Sequence, residues 1–465
     1  AVPVLGDPGM GLESLGRSLE EAEPEAFIGT PKAHAGRLLK GWGRKSVRKL
    51  VTVGRRWFWG GENLDGLRRL AAQAPPRVWP RAGFPAAILF TSGSTGVPKG
   101  AVYTHEIFSA QVRMLAELFK IEAGGASVPT FPLFALFDVA LGMTAHLPDM
   151  DFTRPGQVDP MEIIRVIQES GAVQLFGSPA LLDRVGRYGE AREVRLPSLK
   201  RVLSAGAPVP ARVVERFSGL LGPGAEIYTP YGATEALPVC VMAGSEILSE
   251  TGAKSFEGEG TCVGRPVPGM EVRLIRISEE PIPVWEDALL LPEGEVGEIV
   301  AGGPVVTPEY FRRPEATALA KIRGPRGEIL HRMGDLGRLD SSGRLWFVGR
   351  KSQRVLTAAG PLFTVACEGV FNAHPLVRRT ALVGVGKAGA QEPVLCVELE
   401  SGVPPGLDLE AVRRELLALG SEQVQTRGIR TVLFHDEFPV DIRHNAKIFR
   451  EKLAVWACGE LGRPA

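Results

Sequence analysis

Two periods of apolar residues alternate along this chain. Pro3-Val4-Leu5, closed by Gly6-Asp7-Pro8-Gly9, reads as a strand ending in a turn, and Leu12, Leu15 and Leu19 then recur at helical spacing up to Pro24. The rhythm returns at 86–90, an apolar run with Ile88 and Phe90 bounded by Pro85, and at 107–119, where Phe108, Val112, Leu115, Leu118 and Phe119 mark a helical face. Leu175-Phe176-Gly177-Ser178-Pro179-Ala180 reads as a strand turning into a helix near Leu181. Strands followed by helices predict an α/β fold. From 260 to 313 the pattern shifts to short apolar runs split by Gly and Pro, at 260–269, 294–300 and 306–313, which predicts a β-rich subdomain. Beyond 350 a strand pair opening at His374-Pro375-Leu376-Val377 and a helix over 409–419 predict a small α+β unit.

A chain of 465 residues exceeds what one hydrophobic core usually supports, so two or more domains are expected. Lys plus Arg at 54 against Asp plus Glu at 53 leave a net charge of +1, so no global field draws in nucleic acid, which is not an expected partner. The local exception is 32–56, where Lys32, Arg37, Lys40, Arg44, Lys45, Arg48, Lys49, Arg55 and Arg56 stand without an acidic residue. Leu38, Leu39, Trp42, Val47, Leu50 and Val51 give that segment an apolar side, which predicts a basic amphipathic helix, packed on its own domain or turned to a membrane or partner. Cys240, Cys262, Cys367, Cys396 and Cys458 are odd in number, far apart and without a Cys-x-x-Cys pair. That points away from disulfides and zinc and towards a reducing, cytoplasmic setting. No apolar run reaches the length of about eighteen residues that a spanning helix needs, so no transmembrane segment is expected. The opening residues lack an initiating Met and a leader pattern, and read as the middle of a domain whose natural N-terminus lies upstream.

Chemistry enters directly after the apolar run 86–90. Thr91-Ser92-Gly93-Ser94-Thr95-Gly96 is followed by Val97-Pro98-Lys99-Gly100. Glycines there permit positive φ and carry no side chain, so backbone N–H groups can converge on an anion while the hydroxyls of Thr91, Ser92, Ser94 and Thr95 add donors. The alternative is a plain surface turn, since Gly and Ser clusters often are only loops. A Lys held by Pro98 after a buried strand makes a poor linker and a suitable place for polyphosphate. It is not a Walker P-loop, because Lys99 is followed by Gly100 and not by Ser or Thr. A helix over 107–119 behind the loop would complete the strand, loop and helix context of an anion cradle.

The run 91–100 closely resembles the phosphate-binding signature of the acyl-adenylate-forming enzymes, the superfamily of acyl-CoA ligases, peptide-synthetase adenylation domains and luciferases. The resemblance extends in order along nearly the whole chain. It implies ATP and Mg²⁺, with adenine against the turn Gly206-Ala207-Pro208, which on its own could be an αβ connection. In Tyr228-Thr229-Pro230-Tyr231-Gly232-Ala233-Thr234-Glu235 it implies Tyr231 on the face of adenine, Thr234 at phosphate and Glu235 on Mg²⁺. Asp335, in His331-Arg332-Met333-Gly334-Asp335, resembles the ribose ligand, and Arg350 would reach ribose or the α-phosphate. Lys447, in Arg443-His444-Asn445-Ala446-Lys447-Ile448, stands where the family has its catalytic lysine, usually written Ser-Gly-Lys-Ile.

The same resemblance implies a large lobe of α/β subdomains plus a β-rich subdomain over 1–349, and a small mobile α+β domain over 350–465, with the hinge at Lys351-Ser352. The run Phe131-Pro132-Leu133-Phe134-Ala135-Leu136-Phe137 would line the acyl pocket with Gly177. The family often has His where Ala135 stands, so a roomier apolar pocket is implied. Leu356-Thr357-Ala358-Ala359-Gly360 replaces the Lys-Ser-x-Gly of many CoA ligases, which weakens the case for a thiol acceptor.

Together, 131–137 and 440–448 most resemble one branch of the family, the β-lactone synthetases of olefin biosynthesis. That implies a 2-alkyl-3-hydroxyalkanoic acid as substrate and assembly with other enzymes of olefin biosynthesis. A long-chain acyl-CoA ligase is the alternative enzyme, and a non-catalytic nucleotide- or acyl-binding scaffold the alternative of another class.

Overall fold

The computed structural model describes residues 1–6, 10–71, 80–91, 98–400, 402–404, 406–440 and 448–463. They form two compact units, Ala1–Ser109 with Thr307–Ala318, and Ala110–Val306 with Leu319–Ala465.

The first unit carries six strands: β1 (Val4–Leu5), β2 (Ala26–Gly29), β3 (Lys49–Thr52), β4 (Glu62–Asn63), β5 (Pro85–Phe90) and β6 (Gly100–Thr104). β1 lies parallel to β5, which pairs antiparallel with β6; β2, β3 and β4 make a separate parallel sheet. Ala87, Leu89, Ala101, Tyr103 and Ile107 form the core under the β5–β6 hairpin. β6 corrects the expected strand, loop and helix order. The helix His105–Leu118 follows a second strand, because Gly100-Ala101-Val102-Tyr103-Thr104 is itself a buried, β-prone run that returns along β5.

The basic segment 32–56 is corrected as well. Its helix is confined to Pro31–Lys40, with the Thr30 hydroxyl accepting from the Ala33 amide at its start. Gly41 at φ 72° ends it in the left-handed conformation, where a side chain would be strained. Leu50 and Val51 lie on β3, because Leu-Val-Thr suits a half-buried strand better than a helix.

The second unit is built on one sheet. Its parallel part comprises β7 (Ala126–Pro129), β8 (Thr144–Ala145), β9 (Gln174–Phe176), β10 (Arg201–Leu203) and β11 (Glu226–Ala233), in the order β8-β7-β9-β10-β11. Helices Pro160–Ser170, Pro179–Ala191 and Ala211–Ser218 bury Ile163, Ile167, Leu181, Leu182, Val185, Val214 and Phe217 together with Val128, Leu175, Val202 and Ile227. Burying each such side chain contributes about 1.5–3 kcal/mol. Asp159 and Ser178 cap the first two of these helices by accepting from the amides of Met161 and Leu181.

Beyond β11 the same sheet is antiparallel and comprises β12 (Ala236–Ala243), β13 (Thr261–Pro266), β14 (Glu271–Ile275), β15 (Gly297–Gly302), β16 (Lys321–Arg323), β17 (Ile329–Leu339) and β18 (Leu345–Arg350), in the order β11-β12-β13-β18-β17-β15-β14 with β16 also paired to β17. An Arg332–Glu298 ion pair at 2.7 Å is buried in this part, and Lys351 Nζ stands 3.2 Å from the same carboxylate. Lys351 also donates to the Ser278 carbonyl at 2.7 Å, so the expected hinge residue is bonded on the side of β14 and β15.

After Lys351 come the hairpin β19 (Val355–Thr357) and β20 (Gly360–Leu362), then the sheet of β21 (Val377–Val385), β22 (Glu392–Leu399) and β23 (Thr431–Phe434). Helices Thr364–Phe371 and Leu409–Glu422 enclose one core around Phe371, Leu382, Leu395 and Leu416. Helix Arg450–Glu460 encloses another around Val383, Phe438 and Leu453.

Candidate active site

The parallel strands decide where the sequence motifs go. Pro129 of β7, Phe176 of β9, Leu203 of β10 and Tyr228 of β11 are in register across the sheet. The segments that follow β7, β9 and β10 at their carboxyl ends, Phe131 to Phe137, Gly177 and Gly206-Ala207-Pro208, therefore emerge along one edge, towards which β11 runs on through Tyr231 to its turn at Thr234-Glu235. Ligands of open α/β sheets bind outside that edge.

At β9, Phe134 stacks on Phe176 with ring centroids 4.1 Å apart, and Phe131 and Phe137 stand 5.5 and 6.1 Å from Phe134. Phe134, Ala135 and Phe137 are all half-buried, on the helix Pro132–Ala140. Gly177 donates its amide to the Leu203 carbonyl at 3.0 Å, and a Cβ there would come within 3.0 Å of Leu181. Beneath, Asp138 accepts from Gln174 at 3.0 Å, and Gln174 accepts in turn from Arg201 at 2.8 Å. Burial pushes the Asp138 carboxyl up, against the bonds from Ser127 and Gln174. At β10, Gly206 sits at φ 97° and lets the chain turn sharply before Ala207 and Pro208.

Tyr231 lies on β11 opposite Cys240, and the hairpin turns at Thr234-Glu235 between Ala233 and Ala236. Gly232 is required by close approach: a Cβ would lie 2.5 Å from the Ala236 carbonyl oxygen. On β17 and β18, Asp335 and Arg350 face each other in register. The Tyr231 hydroxyl donates to Asp335 Oδ2 at 2.7 Å, and Arg350 Nε stands 3.1 Å from Oδ1. Burial, then the Asp335 charge, hold the Tyr231 phenol well above its usual range. The structure thus brings Tyr231 together with Asp335 and Arg350, which lie more than a hundred positions further along the sequence.

Glu235 is 9% exposed, and its electrostatic neighbour is Lys321 on β16, 6% exposed. Burial pushes the Lys321 ammonium down to about 7, with the Glu235 charge countering. Sequence reading missed Lys321, which stands in the apolar run Leu319-Ala320-Lys321-Ile322 and whose burial follows only from the pairing of β16 on β17. Among the described residues no three His, Cys, Asp or Glu side chains gather as a metal cage. A hard divalent ion would find one carboxylate at Glu235 and could take its other oxygens from a phosphorylated substrate, which fits Mg²⁺.

In the first unit, the Thr91 amide donates to the Lys99 carbonyl at 2.9 Å, so the ends of the run 91–99 are tied together. Lys99 is exposed, its Nζ 5.2 Å from the Tyr310 ring centroid. Ser92, Gly93, Ser94, Thr95 and Gly96 lie outside the described residues, as does Lys447. The flanks of the latter are set: Val440 bridges Ile448, and the Phe449 amide donates to the Pro439 carbonyl at 2.8 Å.

Residues 1–311 match the AMP-binding enzyme family, and the chain belongs to that family. Among its relatives is the olefin beta-lactone synthetase of Stenotrophomonas maltophilia, 53% identical over 470 residues, which span 100% of this chain and 84% of the relative. The olefin beta-lactone synthetase of Xanthomonas campestris pv. campestris is 50% identical over 462 residues, 98% of this chain and 82% of that one. The solved amide bond synthetase McbA of Marinactinospora thermotolerans superposes with a TM-score of 0.76 at 25% identity, covering 97% of this chain and 83% of its own.

Proposed function

We propose that this chain activates a 2-alkyl-3-hydroxyalkanoic acid with ATP and closes it to a β-lactone, releasing pyrophosphate and AMP, in long-chain olefin biosynthesis. The observation that carries the reading is the joining of Tyr231, Asp335 and Arg350 in a chain about half-identical, along its whole length, to olefin beta-lactone synthetases. In the first half-reaction a carboxylate oxygen attacks the α-phosphorus and pyrophosphate leaves. Both reactants are anionic, so the barrier is largely electrostatic and positive charge must be in place beforehand.

Thr91 to Gly96 and Lys99 are proposed to hold the polyphosphate, with Thr234 as a further phosphate donor. Mg²⁺ on Glu235 would neutralise phosphate oxygens. Asp335 would accept the ribose hydroxyls, since a carboxylate offers two oxygens and no donor. Arg350 would lie at ribose or α-phosphate, with Tyr231, Gly232 and the turn Gly206-Ala207-Pro208 at adenine. Lys447 would stand between the carboxylate and the α-phosphate. The small domain 350–465, turning about Lys351-Ser352, is proposed to carry that lysine.

Phe134, Ala135, Phe137 and Gly177 would bound an apolar acyl pocket suited to alkyl chains. In the second half-reaction the 3-hydroxyl oxygen bonds to the acyl carbon, the bond from that carbon to the AMP oxygen breaks, and the hydroxyl proton is released. A nucleophile two carbons away is always at high effective concentration, and cleavage of the activated acyl–AMP bond offsets ring strain. A place among other olefin-biosynthesis enzymes belongs to the same proposal, as does a cytoplasmic setting; no described helix is long and apolar enough to cross a membrane.

The test is incubation of a 2-alkyl-3-hydroxy acid with ATP and Mg²⁺, with and without CoA, followed by mass analysis. Lactone and AMP formed equally in both arms are expected. A product that requires CoA makes the chain a CoA ligase, and absence of AMP leaves only a binding protein.

A further inference from the structure

The bond from the Tyr231 hydroxyl to Asp335 joins two strands that the proposed function uses for two halves of one nucleoside. Tyr231 belongs to β11, whose end faces the base subsite, and Asp335 to β17, which holds the ribose ligand of that reading. The carboxylate is 4% exposed and has Arg350 Nε at 3.1 Å on one oxygen and the phenol at 2.7 Å on the other. A carboxyl group rotates about one bond, and the hydrogen bond from the phenol to Oδ2 fixes that rotation, with the Arg350 charge standing beside Oδ1. The ring of Tyr231 is fixed by the same bond, with Phe347 at 6.3 Å on its flank.

We propose that the Tyr231 hydroxyl is a positioning residue for Asp335: it sets the plane of the carboxylate so that its remaining lone pairs meet the 2′- and 3′-hydroxyls of a ribonucleoside triphosphate. Each carboxylate oxygen can accept more than one hydrogen bond, so the phenol and a ribose hydroxyl need not compete. Recognition of the sugar is then coupled to placement of the base, because both are held through one phenol. The inference rests on the ribose role of Asp335.

The experiment compares KM for ATP and for 2′-deoxyATP in AMP release by the full chain, for the native enzyme, Tyr231→Phe, Asp335→Asn and the double variant. Tyr231→Phe keeps the ring and removes only the donor. A charge-assisted hydrogen bond of this kind corresponds to roughly a tenfold effect or more on binding. The expected result is a rise of roughly tenfold in KM for ATP with kcat within about threefold, and a loss of preference for ATP over 2′-deoxyATP by a similar factor. The double variant should be no worse than Asp335→Asn alone, since the phenol acts only through the carboxylate.

If Asp335→Asn retains the full preference for ATP, the ribose role itself fails. If Asp335→Asn loses the preference while Tyr231→Phe keeps it, the positioning role is overturned and the ribose role stands. Should Tyr231→Phe lower the melting temperature, direct titration of the still-folded fraction with ATP and 2′-deoxyATP at low temperature gives the same ratio, and an unchanged ratio overturns the proposal.

Discussion

At the scale of single residues, charge placement governs the account. Asp335 is buried yet flanked by a phenol and a guanidinium, so its negative charge is held where only a donor-rich ligand can exploit it. Glu235 and Lys321 form a second pair of buried opposite charges, on the turn after β11 and on β16. Lys447→Ala is expected to lower the adenylation rate by roughly 10² to 10³, the range for loss of one preorganised charge-stabilising group. Pyrophosphate release is the readout, and an unaltered rate removes Lys447 from the mechanism. Most of these side chains were legible as letters in a fixed order, because Tyr-Gly-x-Thr-Glu and Gly-Asp are local strings. Lys321 was not, since a lysine in an apolar run reveals nothing of its burial until the strand pairing of β16 on β17 is known. The bond between Tyr231 and Asp335 was equally hidden, being made by a sheet that spans the gap between two motifs.

At the scale of elements, local pattern read the type of most segments and erred where two patterns overlapped. The strand at 86–90 and the helices near 107–119, 181 and 409–419 stand close to where periodicity put them. The run after residues 91–99 was read through to its helix, yet its first five residues pair with β5 as β6, because buried Ala101, Val102 and Tyr103 gain more from the sheet than from a helix end. The basic segment 32–56 misled for the reverse reason: its charges are continuous, while Gly41 and Gly43 break its backbone.

The β17–β18 hairpin offers a test of pairing at this scale. Asp340 accepts from the Arg344 amide and guanidinium and from the Trp346 indole at 2.9, 2.8 and 2.9 Å. Burial pushes its carboxyl up, but those donors outweigh it and hold it down at about 2. An unfolded aspartate titrates near 3.9, so this contribution to stability is complete above about pH 4 and is lost as pH falls through about 2. Asp340→Asn should therefore lower the unfolding free energy by about 1–2 kcal/mol at pH 7, with the gap from the native chain closing as pH drops from about 4 to 2. Urea unfolding at a series of pH values checks it; a gap independent of pH would remove the ionised carboxylate from the explanation.

At the scale of the whole molecule, the parallel half of the large sheet gathers the segments 131–137, 177 and 206–208 on one edge, and its antiparallel half carries Asp335 and Arg350. Membership of the AMP-binding enzyme family accounts for activation of an acid, and the relatives of half-identical sequence direct the choice of acceptor to the substrate's own hydroxyl. That choice has an isotopic signature. With both carboxylate oxygens of the 3-hydroxy acid labelled with ¹⁸O, attack on the α-phosphorus followed by capture at the acyl carbon sends one label into AMP and leaves the other in the lactone carbonyl. Mass spectrometry of AMP and lactone from one turnover is the most direct measurement. One heavy oxygen in each product is the predicted result; unlabelled AMP beside a lactone carrying both heavy oxygens would mean that ATP activates the hydroxyl and would contradict the account.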